Sequence, residues 1–167
     1  VEVDEELFNL LRRITDLADR TKGYFNPVIG PLVEVWGFGY GGTGRRPQLE
    51  EIATALPLIN PGNLVLNEQE KTVFLRKEGM LLDLGGVAKG YAVDRGWEVL
   101  RSYGVRGALV NGGESSIRVL GTRPGGGPWR IAIAHPRTEK WVGVLELPSG
   151  RAIGTSADTQ RFFESEG

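Results

Sequence analysis

Apolar residues recur at helical spacing near the start of the chain. Leu7, Leu10, Leu11, Ile14, Leu17 and Ala18 fall at i, i+3, i+4 and i+7, which predicts an amphipathic helix over residues 4 to 20 with Asp4 as its N-cap. From Thr21 to Gly39 aromatics alternate with glycine and proline and charge is nearly absent. Rings in such a segment either cover the core or line a slot for a flat ligand, and the residues alone leave both open. Pro31 opens a short helix through Trp36. Residues 40 to 47 read as an exposed connection with Arg45-Arg46 in a solvated turn, and a further helix follows from Gln48 to about Ala55.

From Asn63 the period shortens to that of strands. Leu64–Leu66, Thr72–Leu75 and Met80–Leu84 read as a meander, with turns at Asn67–Glu70 and Lys77–Gly79. Gly85-Gly86 ends the third strand, and helical spacing resumes at Val87 with Tyr91, Val93, Trp97 and Leu100 on the buried side, until Tyr103-Gly104 stops it. Five more strands follow, at 107–111, 116–120, 129–133, 141–147 and 151–155. Phe162-Phe163-Glu164 reads as another, cut off before its partner. The fold class is therefore α+β, a mostly antiparallel sheet from residues 63 to 84 and 107 to 166 with the helices near 4–20 and 87–103 packed against it.

Composition narrows the picture. A chain of 167 residues that is 40% hydrophobic buries one sizeable core and is short for two, so one domain is expected over 1–167. Lys and Arg total 20 against 21 Asp and Glu, so no overall field draws in nucleic acid or anionic lipid, and a phosphate ligand has to be held locally. The absence of cysteine removes disulfides, thiol nucleophiles and thiolate metal sites. No apolar run approaches the length of a membrane span, and the first residues do not form a signal peptide.

The stretch from Leu81 to Asp94 carries the candidate chemistry. A helix start with free amides attracts anions, Lys89 adds a full positive charge in the first turn, and Asp83 supplies a carboxylate before the glycine pair. That mixture suits a nucleotide held by its phosphates and by a sugar or base hydrogen bond. A purely structural turn with a surface lysine fits the same residues.

Four segments, in order, resemble the ApbE family of flavin transferases, once called thiamine-biosynthesis lipoproteins: Thr21–Pro27 running into Gly30–Val33 and Trp36–Gly39, Asp83–Asp94, Val110–Glu114, and Ala152–Asp158. The loop and strand from Gly121 to Pro136 are similar to the family as well. The resemblance implies a magnesium-dependent FAD:protein FMN transferase. Such an enzyme cleaves the pyrophosphate of FAD, releases AMP and attaches FMN through a phosphoester to a threonine of an acceptor, usually a flavoprotein subunit of a membrane redox complex. It further implies flavin contacts at Tyr24, Phe25 and Asn26, where the family usually has Asp in place of Asn26. FAD contacts are implied at Asp83 and Lys89, a nucleotide border at Thr155 and Ser156, and a backbone carbonyl for Mg2+ at Gly86, a donor that any residue type supplies. Glu114 stands where the family commonly has Asp.

Relative to the family, the chain is expected to start after the lipoprotein or signal segment and to stop before the catalytic histidine and the magnesium carboxylates. No catalytic residue is therefore assigned in it. His135, in Ala-His-Pro at a strand end, reads as structural. The family's usual location is periplasmic, or the outer face of the cytoplasmic membrane through a lipid anchor absent from this chain. The alternative readings are a non-catalytic FAD-binding domain, an FAD pyrophosphatase and a generic phosphate-binding protein.

Overall fold

Asp4 starts the first helix by accepting the Leu7 N–H on its carboxylate at 2.7 Å, and Glu5 and Glu6 in the first turn suit the positive end of α1, Glu5–Arg20. This is a computed structural model, and it describes residues 1–157 and Phe162. The described chain falls into two units, Val1–Leu84 and a second beginning at Gly85. The strand expected around Phe163 and Glu164, and Asp158, lie outside the described residues.

In the first unit the buried stripe of α1 is Phe8, Leu11, Ile14 and Ala18. Phe8, outside the expected apolar series, is 1% exposed, whereas Leu7, Leu10 and Leu17 are only half-buried. The largest side chain sets the centre of the face. Thr72–Leu75 (β2) pairs antiparallel with Leu64–Asn67 (β1), from Leu64 opposite Leu75 to Asn67 opposite Thr72. The turn between them forms as the residues suggest, since Asn67 Oδ1 accepts the Gln69 and Glu70 N–H groups at 3.0 and 3.2 Å. Residues at the chain start lie beside this hairpin: the Val1 ammonium donates to the Val73 carbonyl at 2.8 Å and Glu2 bridges Thr72. Gly30–Val35 forms α2, with proline at its start, and Leu49–Ala55 forms α3, with a capping box between Gln48 and Glu51.

Met80–Leu84 is not a strand. Its backbone turns to the irregular loop at Asn26–Gly30, where Asp83 N–H donates to the Pro27 carbonyl at 2.9 Å. Pro27 has no N–H with which to return a bond, so no ladder forms. Arg45 and Arg46 are exposed as expected, and Arg45 also pairs with Glu51 through both guanidinium nitrogens, at 2.8 and 2.5 Å.

The second unit opens with a turn at Gly85–Val87 and the helix α4, Ala88–Ser102. Val93 and Trp97 are its buried positions, while Tyr91 and Leu100 are half-buried. α4 packs on Gly107–Asn111 (β3) and Ser116–Gly121 (β4). Trp97 Nε1 donates to the Val119 carbonyl at 2.9 Å. Arg118 reaches back from β4 to Asp94 at 2.8 Å, with its guanidinium 3.9 Å from the Trp97 ring centre. Trp129–Ala134 (β5) and Trp141–Leu147 (β6) form a hairpin, and Ala152–Gly154 (β7) is the last described strand.

All the described pairings are antiparallel, so the α+β class holds. The described strands nevertheless form three sheets instead of one: β1-β2, β3-β4-β7 and β5-β6. The break after β4 falls at a loop where Gly125, Gly126 and Gly127 all have positive φ, which carries β5 out of the β4 ladder. His135 serves the β5–β6 turn, its Nδ1 accepting the Arg137 N–H at 3.0 Å. Among the described residues no helix is long and apolar enough to cross a membrane.

Candidate functional site

The candidate residues fall into two groups, one in each unit. In the first unit, Tyr24, Phe25 and Asn26 follow the end of α1, where Lys22 and Gly23 both have positive φ and turn the chain sharply. Thr21 holds that turn, donating to the Leu17 carbonyl at 2.8 Å and accepting the Phe25 N–H at 3.1 Å. Asn26 works in two directions: its Oδ1 accepts the Val28 N–H at 3.0 Å, and its amide nitrogen donates to the Ile59 carbonyl at 2.7 Å. An aspartate there would keep the first bond and lose the second. Asparagine at position 26 thus has a structural use that aspartate would not fill. Phe25 and Asn26 are half-buried, while Tyr24 is 97% exposed.

Asp83 is brought to this loop by the Asp83–Pro27 backbone bond. The approach is close. A Cβ on Gly30 would stand 2.6 Å from Leu81 Cβ and 2.8 Å from its carbonyl oxygen, so only glycine fits. The structure thus gathers Tyr24, Phe25, Asn26 and Asp83 around one loop. An apolar groove of about 440 Å³ in the same unit, between α2 and α3, contains none of them. Glu51 on its rim is held at a pKa of about 2, chiefly by the Arg45 bonds and then by the Gln48 N–H.

In the second unit Lys89 lies exposed in the first turn of α4, which has no side-chain cap at its N-terminus. Its ammonium donates to Ser115 Oγ. The Ser115 carbonyl in turn accepts the Thr155 N–H at 2.9 Å. Lys89 and Thr155 therefore share one neighbour, and Ser156 follows as an exposed residue. Ser115 was not among the sequence candidates, because a serine after Gly-Gly-Glu looks like ordinary turn polarity. Glu114 is exposed with φ of 63°, and its N–H is capped by Asn111 Oδ1 at 2.8 Å.

Gly86 lies in the exposed turn before α4. Among the described residues no three His, Cys, Asp or Glu side chains gather into a metal-holding group. A single carbonyl oxygen does not make a magnesium site, since that ion takes near-octahedral oxygen ligation with carboxylates and ligand phosphates. The described residues by themselves do not fit the ion, and no chemical step is derived through it.

The chain belongs to the ApbE family, whose model matches residues 1–167. It is similar to the FAD:protein FMN transferase of Rhodobacter capsulatus, 36% identical over 99% of this chain and 31% of the relative. It is also similar to that of Klebsiella pneumoniae (strain 342), 34% identical over 100% of this chain and 51% of the relative. Among solved structures, the ApbE protein of Thermotoga maritima MSB8 matches with a TM-score of 0.89 at 36% identity, covering 100% of this chain and 54% of that one. The flavin transferase ApbE of Vibrio cholerae matches at 0.81 and 28% identity, covering 99% and 53%. The chain thus spans 31% and 51% of the two curated relatives.

Proposed function

We propose that the chain is part of an FAD:protein FMN transferase. A threonine hydroxyl of an acceptor flavoprotein attacks the flavin-side phosphorus of FAD. The bond from that phosphorus to the bridging oxygen breaks, AMP leaves with the oxygen, and the hydroxyl proton is lost as the new phosphoester forms. The observation that carries this reading is the likeness over nearly the whole chain to relatives named FAD:protein FMN transferase. Each unit, taken by itself, offers groups whose chemistry suits the reading. An exposed tyrosine ring on a loop pinned by Thr21 and Asn26 offers a stacking face to a flat isoalloxazine. Asp83 offers an acceptor to sugar or base hydroxyl and N–H groups. Lys89 at an uncapped helix start offers positive charge to phosphate. Thr155 and Ser156 offer hydroxyls along the nucleotide.

Magnesium, when bound, would neutralise pyrophosphate charge, and Gly86 would supply it one carbonyl oxygen. Flavinylation of a subunit of a membrane redox complex, by a periplasmic lipoprotein, completes the reading. The test is titration of the whole protein with FAD, FMN and ATP, with and without Mg2+, alongside AMP release and the mass of an acceptor. Tighter binding of FAD than FMN, with AMP formed in step with FMN gain on the acceptor, is the expected result. Equal binding of ATP and FAD would overturn it, and FAD binding without AMP release would turn the reading to a flavin-binding protein.

A further inference from the structure

The turn that carries Ser115 is determined from several sides. Asn111 Oδ1 caps the Glu114 N–H at 2.8 Å, and Gly112 N–H donates to the Ser116 carbonyl at 2.8 Å. Gly113 and Glu114 take φ of 65° and 63° in succession. For Glu114 that is an unfavourable conformation, kept only where the surroundings require it. The turn also lies directly against α4. A Cβ on Gly112 would stand 2.7 Å from Val93 Cγ2 and 3.5 Å from the Lys89 carbonyl. Ser115 therefore has little freedom in where it presents its two oxygens. One accepts the Lys89 ammonium and the other the Thr155 N–H.

A lysine head group on a four-carbon stem loses much rotamer freedom when it engages a ligand, and a fixed acceptor removes part of that loss beforehand. An ammonium has three N–H donors. The bond to Ser115 uses one and leaves two for phosphate oxygens. We infer that Ser115 is a positioning residue of the transfer site: its hydroxyl holds the Lys89 ammonium in place to meet the FAD pyrophosphate, and its carbonyl sets the Thr155 backbone. The inference rests on the FMN-transfer reading. Ser115 itself touches no reacting atom and acts through Lys89.

A double-mutant cycle on FAD affinity tests it in the whole protein, using Ser115→Ala, Ser115→Thr, Lys89→Met and the Lys89→Met, Ser115→Ala pair. Ser115→Ala is expected to weaken FAD binding by about 5-fold, the scale of one lost bond to a charged group in an exposed setting. Ser115→Thr, which keeps the hydroxyl, should stay within about 2-fold of the parent, and Ser115→Ala in the Lys89→Met background should add less than about 2-fold. An equal loss in both backgrounds would mean that the serine merely supports the turn, and no loss in the parent background would remove its role; either overturns the inference. If the parent protein shows no preference for FAD over ATP, the transfer reading falls and takes the inference with it. A parent that prefers FAD but fails the cycle sinks the inference alone.

Discussion

Two helices of nearly equal length are held in different ways. α1, with 16 residues, has a side-chain N-cap and a stripe of four buried apolar positions. α4, with 15 residues, has no side-chain cap and buries two, Val93 and Trp97. What α4 lacks in apolar area it recovers through specific ties to β4: the Trp97 indole on the Val119 carbonyl, the Arg118–Asp94 ion pair and the Arg118 guanidinium over the indole ring. On the proposed function, the contrast follows from what each helix would do. α1 is a structural element whose polar face is solvent-exposed. α4 carries Lys89 at its start and has no side-chain cap, which would leave its first-turn amides available to the proposed phosphate ligand. A helix that presents its end to a ligand has to be positioned accurately. Directional bonds fix rotation and register better than a greasy stripe does.

That contrast predicts a graded response to substitution, read by denaturant unfolding. The largest effect should come from Phe8→Ala, which empties one of the two most buried positions of α1 and should cost about 3 to 5 kcal/mol. Trp97→Phe keeps an aromatic ring in α4 but removes the indole donor and weakens the guanidinium stacking; a loss of about 2 kcal/mol is expected. A greater loss for Trp97→Phe than for Phe8→Ala would reverse the comparison and make polar ties the main source of stability. The smallest effect belongs to Asp4→Ala, about 1 kcal/mol from the lost cap. It should leave FAD titration unchanged, whereas Lys89→Met should weaken that titration with little change in unfolding midpoint. Similar effects of both variants on both measurements would erase the division between a structural helix and a ligand-facing one.

Much of this was legible before any coordinates. The cap of α1, the β1–β2 turn at Asn67 and most of the later strands follow from spacing and from bonds between residues two to four apart. The glycine turn and Lys89 stood out for the same reason, since a strand-like apolar run, a glycine pair and a helix start lie together along the chain. Met80–Leu84 shows where such reading fails. Its apolar run is as strand-like as β2, but strand formation needs a partner with alternating donors and acceptors, and the neighbour it meets contains Pro27.

The sequence by itself determined most of the secondary elements, because helix and strand periods are written within a few residues. It also carried the motifs that mark the family. Only the tertiary structure decided that Asn26 is tied to Ile59, 33 residues away, that Lys89 rests on Ser115, 26 residues on, and that the described strands divide into three sheets. The physical reason is common to all three: a hydrogen bond between distant residues costs loop-closure entropy that the rest of the fold must already have offset, and it leaves no periodic trace along the chain.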